Sequence, residues 1–241
     1  MINSMGLRGP EVSREKPTHS LRIALVGDSF VEGVGIGEDQ HMRTLLEKAV
    51  ASRLPERHIE VINAGVSGYN PAQEWARLRD DIFPLNPDYI VIFHCYNDLD
   101  DLHFSQMIHS SQGNPFFMRC GSISPPSFHR LHLRSFFLDY FMGETSPYSI
   151  YDHIESPDAI ALDLLSAYGQ LMQLAMSECS SRGIRLLSVI IPDSKIYYPE
   201  HWGDKARQAA AYGARISAIH KELDLPTINL HQVWEPQKIR T

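Results

Sequence analysis

Apolar and polar positions change period several times along the chain, and each change marks an element. Leu21–Val26 (LRIALV) is a short, nearly continuous apolar run that ends at Gly27, the pattern of a buried strand. Residues 39–54 carry Met42, Leu45, Leu46, Ala49 and Val50 at helical spacing, and Pro55 stops the run. Ile59–Asn63 reads as a second strand, closed by the turn-rich segment AGVSGYN. Asn70 followed by Pro71 predicts an N-cap with proline at the first helical position, opening a helix to about Phe83. Tyr89–Cys95 (YIVIFHC) is dense in β-branched and aromatic residues and predicts a third strand. Ser156–Pro157 then starts a long helix with Leu164, Tyr168, Leu171 and Ala175 on one stripe, which Gly183 ends. Ile184–Ile191 is a fourth strand closed by Pro192, residues 204–222 are helical, and Pro226–Leu230 is a fifth strand.

Strands that alternate with helices and are themselves almost uniformly apolar predict an α/β domain with a five-stranded parallel sheet covered on both faces. Residues 1–20 read as an irregular lead-in and 21–241 as a single domain. Within it, residues 98–155 form an aromatic-rich insertion without clear periodicity, suited to a lid or apolar pocket and equally to a subdomain core. In such sheets the loops at the carboxyl ends of the strands carry the site. That rule gathers Gly27–Phe30, Asn63–Asn70 and Tyr96–Asp98 at one rim.

Composition narrows the function classes. The chain has 241 residues, 43% of them apolar, enough for one substantial core. A formal net charge of −7 argues against a nucleic-acid partner. No apolar run approaches the ~20 residues of a membrane helix, and the first twenty residues lack the apolar centre of a signal peptide. The chain as given reads as soluble, with its compartment open. Cys95, Cys120 and Cys179 are too few and scattered for a zinc cluster, and three free thiols are the simplest reading. No metal and no cofactor is expected. Gly33-Val34-Gly35-Ile36-Gly37 lacks the spacing of a dinucleotide loop.

Three rim residues suggest chemistry. Ser29, in Gly27-Asp28-Ser29, can project its hydroxyl into a cleft and act as a nucleophile if a base takes its proton. Gly68 lets backbone N–H groups come close to a substrate oxygen. Asn97 offers a side-chain amide to a developing oxyanion. Singly, each is an ordinary turn or capping residue. Three such residues on successive strand ends are harder to obtain by accident.

These blocks resemble the SGNH (GDSL-type) hydrolase family of serine esterases and acyl-transfer enzymes. VGDSF resembles the family's first block, NAGVSGYN the second and YND the third. The lead-in NSMGLRGPE is similar to a segment that precedes the catalytic domain in some bacterial members. The resemblance implies a flavodoxin-like α/β/α sandwich and an acyl-serine mechanism on a small acyl or O-acetyl ester. Ser29 would be the nucleophile, and the N–H groups of Ser29 and Gly68 with the Asn97 amide would hold the oxyanion. The family's last block, Asp-x-x-His after the fifth strand, has no counterpart between that strand and Thr241.

Three expectations compete for the missing base. The chain is an active esterase cut short, or another histidine substitutes, or the protein is an inactive ligand-binding or assembly module on the same fold. For substitution, His103 completes an Asp-x-x-His with Asp100 near Asn97, and His231 follows the fifth strand. His94, on the third strand, reads instead as a packed or hydrogen-bonded strand residue. An incompletely covered sheet face would further favour self-association.

Overall fold

The computed structural model describes residues 1–95, 98, 157–192 and 194–233. Five strands form one sheet: β1 (Ser20–Val26), β2 (His58–Asn63), β3 (Tyr89–His94), β4 (Arg185–Ile190) and β5 (Thr227–Asn229). Their order is β2-β1-β3-β4-β5, and every neighbouring pair is parallel. The helices between them are α1 (Ser29–Glu32), α2 (Met42–Ala51), α3 (Pro71–Arg77), α4 (Pro157–Ser181), α5 (Pro199–Trp202), α6 (Asp204–Glu222) and α7 (Leu230–Val233). The five expected strands and the α/β architecture are all present.

Side-chain alternation along β1 divides two cores. Leu21, Ile23 and Leu25 join Ile59 and Val61 beneath Met42, Leu46 and Val50 of α2. Ala24 and Val26 face the opposite side, with Ile62, Ile90 and Ile92, and meet Trp75 of α3, Tyr168 and Leu171 of α4, and Ile216 of α6. Helices on both faces are what near-continuous apolar parallel strands require. No helix among the described residues is long and apolar enough to cross a membrane.

Two elements depart from the periodic reading. The helix opened by Asn70 keeps α-geometry only to Arg77, then widens into a π-turn over Leu78–Ile82 and closes as a 3-10 turn over Phe83–Leu85. Pro84 has no N–H to continue an α-helix, which accounts for the end of the run but not for the π-turn. In α2, Leu45 sits at helical spacing yet is 52% exposed.

Arg22 lies within the apolar run of β1 and is completely buried. Its guanidinium pairs with Glu60 on β2 at 2.9 Å and donates to the carbonyls of Ser13 and Leu85. A buried cation persists when paired and hydrogen-bonded in this way. It fastens the amino-terminal end of the sheet to the lead-in.

Candidate functional site

The first rim segment leaves β1 through Gly27. A Cβ there would lie 2.5 Å from Val31 Cγ2 and 3.3 Å from the Phe93 carbonyl oxygen, so the turn closes only on glycine. Asp28 caps α1: its Oδ1 accepts from the Phe30 N–H at 2.9 Å. Ser29 is the first residue of this single turn and is half-buried. The turn ends at Gly33, in the left-handed region at φ 68°, whose N–H donates to the Ser29 carbonyl at 2.9 Å.

The second segment leaves β2 through Asn63, which is fully buried. Its amide donates to the Val31 carbonyl at 2.8 Å and its Oδ1 accepts from the Gly65 N–H at 2.9 Å. Gly65 lies flat on α1, where a Cβ would stand 2.4 Å from the Glu32 nitrogen. Val66 N–H donates to the Gly27 carbonyl at 3.1 Å. Glu32, one turn beyond Ser29, accepts from the Ser67 N–H at 2.7 Å and from the Ser67 hydroxyl. Gly68 follows, exposed and left-handed at φ 76°, with nothing within 4 Å of where a Cβ would be. Asn70 and Gln73 then form the reciprocal capping box that opens α3, with Pro71 at its first position. The structure thus joins the Ser29 turn and the Gly68 loop by direct contacts.

The third segment begins at Cys95. Its N–H donates to Asp98 Oδ2 at 3.1 Å, and the Asp98 N–H returns to the Cys95 carbonyl at 3.3 Å. The Cys95 thiol points back at Asp28 Oδ2, 3.0 Å away, and lies 3.3 Å from Asp98 Oδ1. Asn97, His103 and the aromatic insertion lie outside the described residues, as does Cys120. Cys95 and Cys179 are buried and form no disulfide among the described residues.

Behind these loops lies a buried polar group that the periodic reading does not single out. Glu74 of α3 is 2% exposed, and neither carboxyl oxygen has a hydrogen-bond partner among the described residues. Burial pushes its pKa well above the ordinary range, and the charges of Asp98 and Asp28 push it further. Asp98 is raised for the same reasons, burial first and then Asp28. These carboxyls are held toward the protonated, neutral form. The Cys95 thiol is pushed up by burial and by both aspartates, so it stays a thiol and a hydrogen-bond donor.

His94 is fully buried against the rings of Tyr168 and His220, with centroids 5.3 and 5.2 Å away. It is indeed a packed strand residue. Its Nδ1 lies 3.3 Å from Asp98 Oδ2 but without the geometry of a hydrogen bond. Burial pushes it down to about 3. His220 is also pushed down to about 3, by burial and then by His94. The Tyr168 hydroxyl meets its Nε2, and Ser188 and Thr227 hydroxyls meet its Nδ1 at 3.2 and 3.1 Å. Neither ring is free to exchange protons at the rim.

His231 follows β5, three strand spacings from β1 in the sheet order, about 14 Å at ~4.8 Å each. Its ring stacks on Tyr197 at 6.4 Å and packs beside Gly213 of α6, Nε2 lying 3.5 Å from where a Cβ would be. The structure places this histidine on the α6 side of the sheet. As for a metal, donor atoms of Asp28, Cys95 and Asp98 lie within 4.8 Å of one another, but the thiol already bridges the two carboxyls.

The rim therefore presents a half-buried serine, Ser29, on a helical turn braced by two neighbouring loops. That arrangement suits nucleophilic attack on a substrate lying across the carboxyl ends of the strands. Comparison with known proteins gives the family and the fold. The model of the GDSL-like lipase/acylhydrolase family matches residues 25–241. Among solved structures, the chain is similar to an acetyl xylan esterase, AlAXEase, at 15% identity and a TM-score of 0.51, covering 88% of this chain and 78% of that one. It is also similar to LAE5, an alpha/beta hydrolase enzyme from the metagenome of Lake Arreo, Spain, at 14% identity and a TM-score of 0.50, covering 91% of this chain and 84% of that one. No curated protein matches it in sequence.

Proposed function

The chain belongs to the GDSL-like lipase/acylhydrolase family, and from that premise we propose that it is a serine ester hydrolase with Ser29 as nucleophile. The observation that carries this reading is the presentation of Ser29. It heads a one-turn helix capped by Asp28 and tied through Glu32 to the loop that holds Gly68. Ser29 Oγ attacks the carbonyl carbon of a small acyl or O-acetyl ester while a histidine takes the hydroxyl proton. The negative charge moves to the carbonyl oxygen, where the N–H groups of Ser29 and Gly68 and the Asn97 amide stabilise it. Each such donor is worth roughly 2.7–4 kcal/mol of barrier. Collapse breaks the ester C–O bond and expels the alkoxide, which takes that proton from the histidine; water then gives a proton to the histidine, attacks the acyl-serine and releases the acid as the proton passes to Ser29 Oγ.

Two histidines compete as the base. His103 has Asp100 three residues before it, the order of the family's last block. His231 would have to leave its place beside Gly213 and Tyr197 to reach the β1 end.

The test is intact-mass labelling with a fluorophosphonate probe. The wild-type chain should gain one adduct and Ser29→Ala none. His103→Ala and His231→Ala, each checked for folding, then identify the base as the one whose loss abolishes labelling. A folded wild-type chain that takes no adduct would sink the reading.

A further inference from the structure

The turn that carries Ser29 is four residues long and cannot hold its own shape, because a single helical turn leaves nearly all its end groups unpaired. Its carboxyl end is held from outside. The Val31 carbonyl takes the Asn63 amide at 2.8 Å. The Glu32 carbonyl takes His41 Nε2 at 3.0 Å. The Arg8 guanidinium donates to three carbonyls in succession, those of Glu32, Gly33 and Ile36. A fixed cation at a helix carboxyl end is favoured both by the hydrogen bonds and by the local dipole. Gly33 is enclosed between the two donors, a Cβ there falling 2.4 Å from His41 Nε2 and 3.5 Å from the Arg8 guanidinium.

Arg8 is itself held in place by the segment around it. Its N–H donates to the Asn63 carbonyl at 3.3 Å, and it makes antiparallel bridges to Asn63 and to Ile2. Leu7 is 2% exposed and belongs to the core. The Asn3 side chain accepts from the N–H groups of Met5 and Leu7 and donates to the Pro10 carbonyl. Ser4 binds both carboxyl oxygens of Glu11. The Gly6 carbonyl takes a hydrogen bond from Arg77 of α3 at 2.8 Å. Residues 2–11 thus form a closed loop whose one long cation points at the nucleophile turn. This loop lies outside the residues matched by the family model.

We propose that Arg8 is a positioning residue for Ser29, and that residues 2–11 are a built-in clamp which sets the orientation of the nucleophile turn. The catalytic half of this inference rests on the serine hydrolase reading; the clamp itself does not. The role assigned to Arg8 needs no contact with substrate. It acts by fixing the carbonyls of the turn, and so the direction of the Ser29 hydroxyl and N–H at its other end. A nucleophile shifted by an ångström loses rate far more than it loses binding.

The experiment compares Arg8→Ala, Arg8→Lys and, as control, Lys16→Ala, which removes a lead-in contact to Asp88 below the far end of β1. Fluorophosphonate labelling is followed over a range of probe concentrations. Amide hydrogen exchange is followed over residues 29–37 and, as reference, over β3. Arg8→Ala should lower the maximal labelling rate by roughly tenfold or more, with the half-saturating probe concentration unchanged. It should speed exchange in 29–37 and leave β3 protected. Arg8→Lys keeps the charge but not the fork and should fall between. Lys16→Ala should stay within about twofold of wild type, since its contact is a partly exposed ion pair. A folded Arg8→Ala chain that labels at the wild-type rate overturns the positioning role. Unchanged exchange in 29–37 overturns the clamp. If Arg8→Ala fails to fold, Arg8→Lys is judged by the same two criteria. A wild-type chain that does not label would defeat the hydrolase reading alone, and exchange would still decide the clamp.

Discussion

The Glu32 carboxylate accepts twice from Ser67, from its backbone N–H at 2.7 Å and from its hydroxyl. This pair ties the turn that begins at Ser29 to the loop that reaches Gly68. Charge strengthens such bonds, while partial exposure of the site reduces their worth to about 1 kcal/mol. Glu32→Gln should therefore lower the melting temperature by roughly 2–4 °C. It should also slow Ser29 labelling, because the Ser29 turn and the Gly68 loop, proposed to supply the oxyanion N–H groups, then lose their common brace. Differential scanning fluorimetry and probe kinetics check both; a variant as reactive as wild type would show that the brace does not align the site.

Gly65 and Gly68 separate two uses of glycine within one loop. At Gly65 an added methyl group would strike α1 backbone at 2.4 Å, which cannot rotate away. Gly65→Ala should cost about 1–3 kcal/mol and suppress labelling. At Gly68 there is open space, and only the left-handed backbone resists a side chain, at about 1–2 kcal/mol. Since alanine keeps the N–H, Gly68→Ala should retain most of the labelling. Equal loss in both variants would argue against this division.

The buried carboxyls and imidazoles give stability opposite slopes with pH. Glu74 is raised above its ordinary value of 4.5, so the folded chain binds that proton more tightly than the unfolded chain. Its contribution is complete below 4.5 and fades as pH rises through the folded value. His94 and His220 are lowered to about 3 from 6.5, so their contribution is complete above 6.5 and fades as pH falls toward 3. Melting temperature should pass through a maximum between these limbs. Glu74→Gln, neutral at every pH, should flatten the alkaline limb and melt higher than wild type at pH ~8. A variant curve parallel to wild type would exclude Glu74 as the cause.

Arg22→Leu should destabilise the chain by about 3–5 kcal/mol, because it leaves Glu60 and two carbonyls without their donor. Chemical denaturation measures this directly. A loss under roughly 1 kcal/mol would mean that water replaces the guanidinium.

Much of this architecture is written in period and punctuation. The runs at Leu21–Val26 and Tyr89–Cys95 declare buried strands, and Asn70-Pro71 declares a helix start, because local chemistry alone decides them. What is illegible depends on distant partners. Arg8 and Glu74 look like surface residues in polar or mixed segments, Arg22 is a lone cation in an apolar run, and only the fold buries or aims them. The lead-in lacks periodicity because it is held by turns and side-chain hydrogen bonds, which leave no repeating pattern. The one-turn helix at Ser29 is too short to have a period. Its signal was Gly-Asp-Ser, a capping aspartate between a tight glycine and a serine. Leu45 shows the opposite error, an apolar residue at the right spacing that faces solvent.

The strand order also says which part of the chain builds the site. β2 and β3 flank β1, while β4 and β5 are added one after another at the β3 edge. In chain order, β1, the Arg8 loop and the Gly68 loop all precede residue 95. Each later strand meets a waiting edge and need not be threaded between two others. The side of the rim that carries Ser29 and Gly68 is thus drawn wholly from residues before 95, and the later strands extend the sheet away from it.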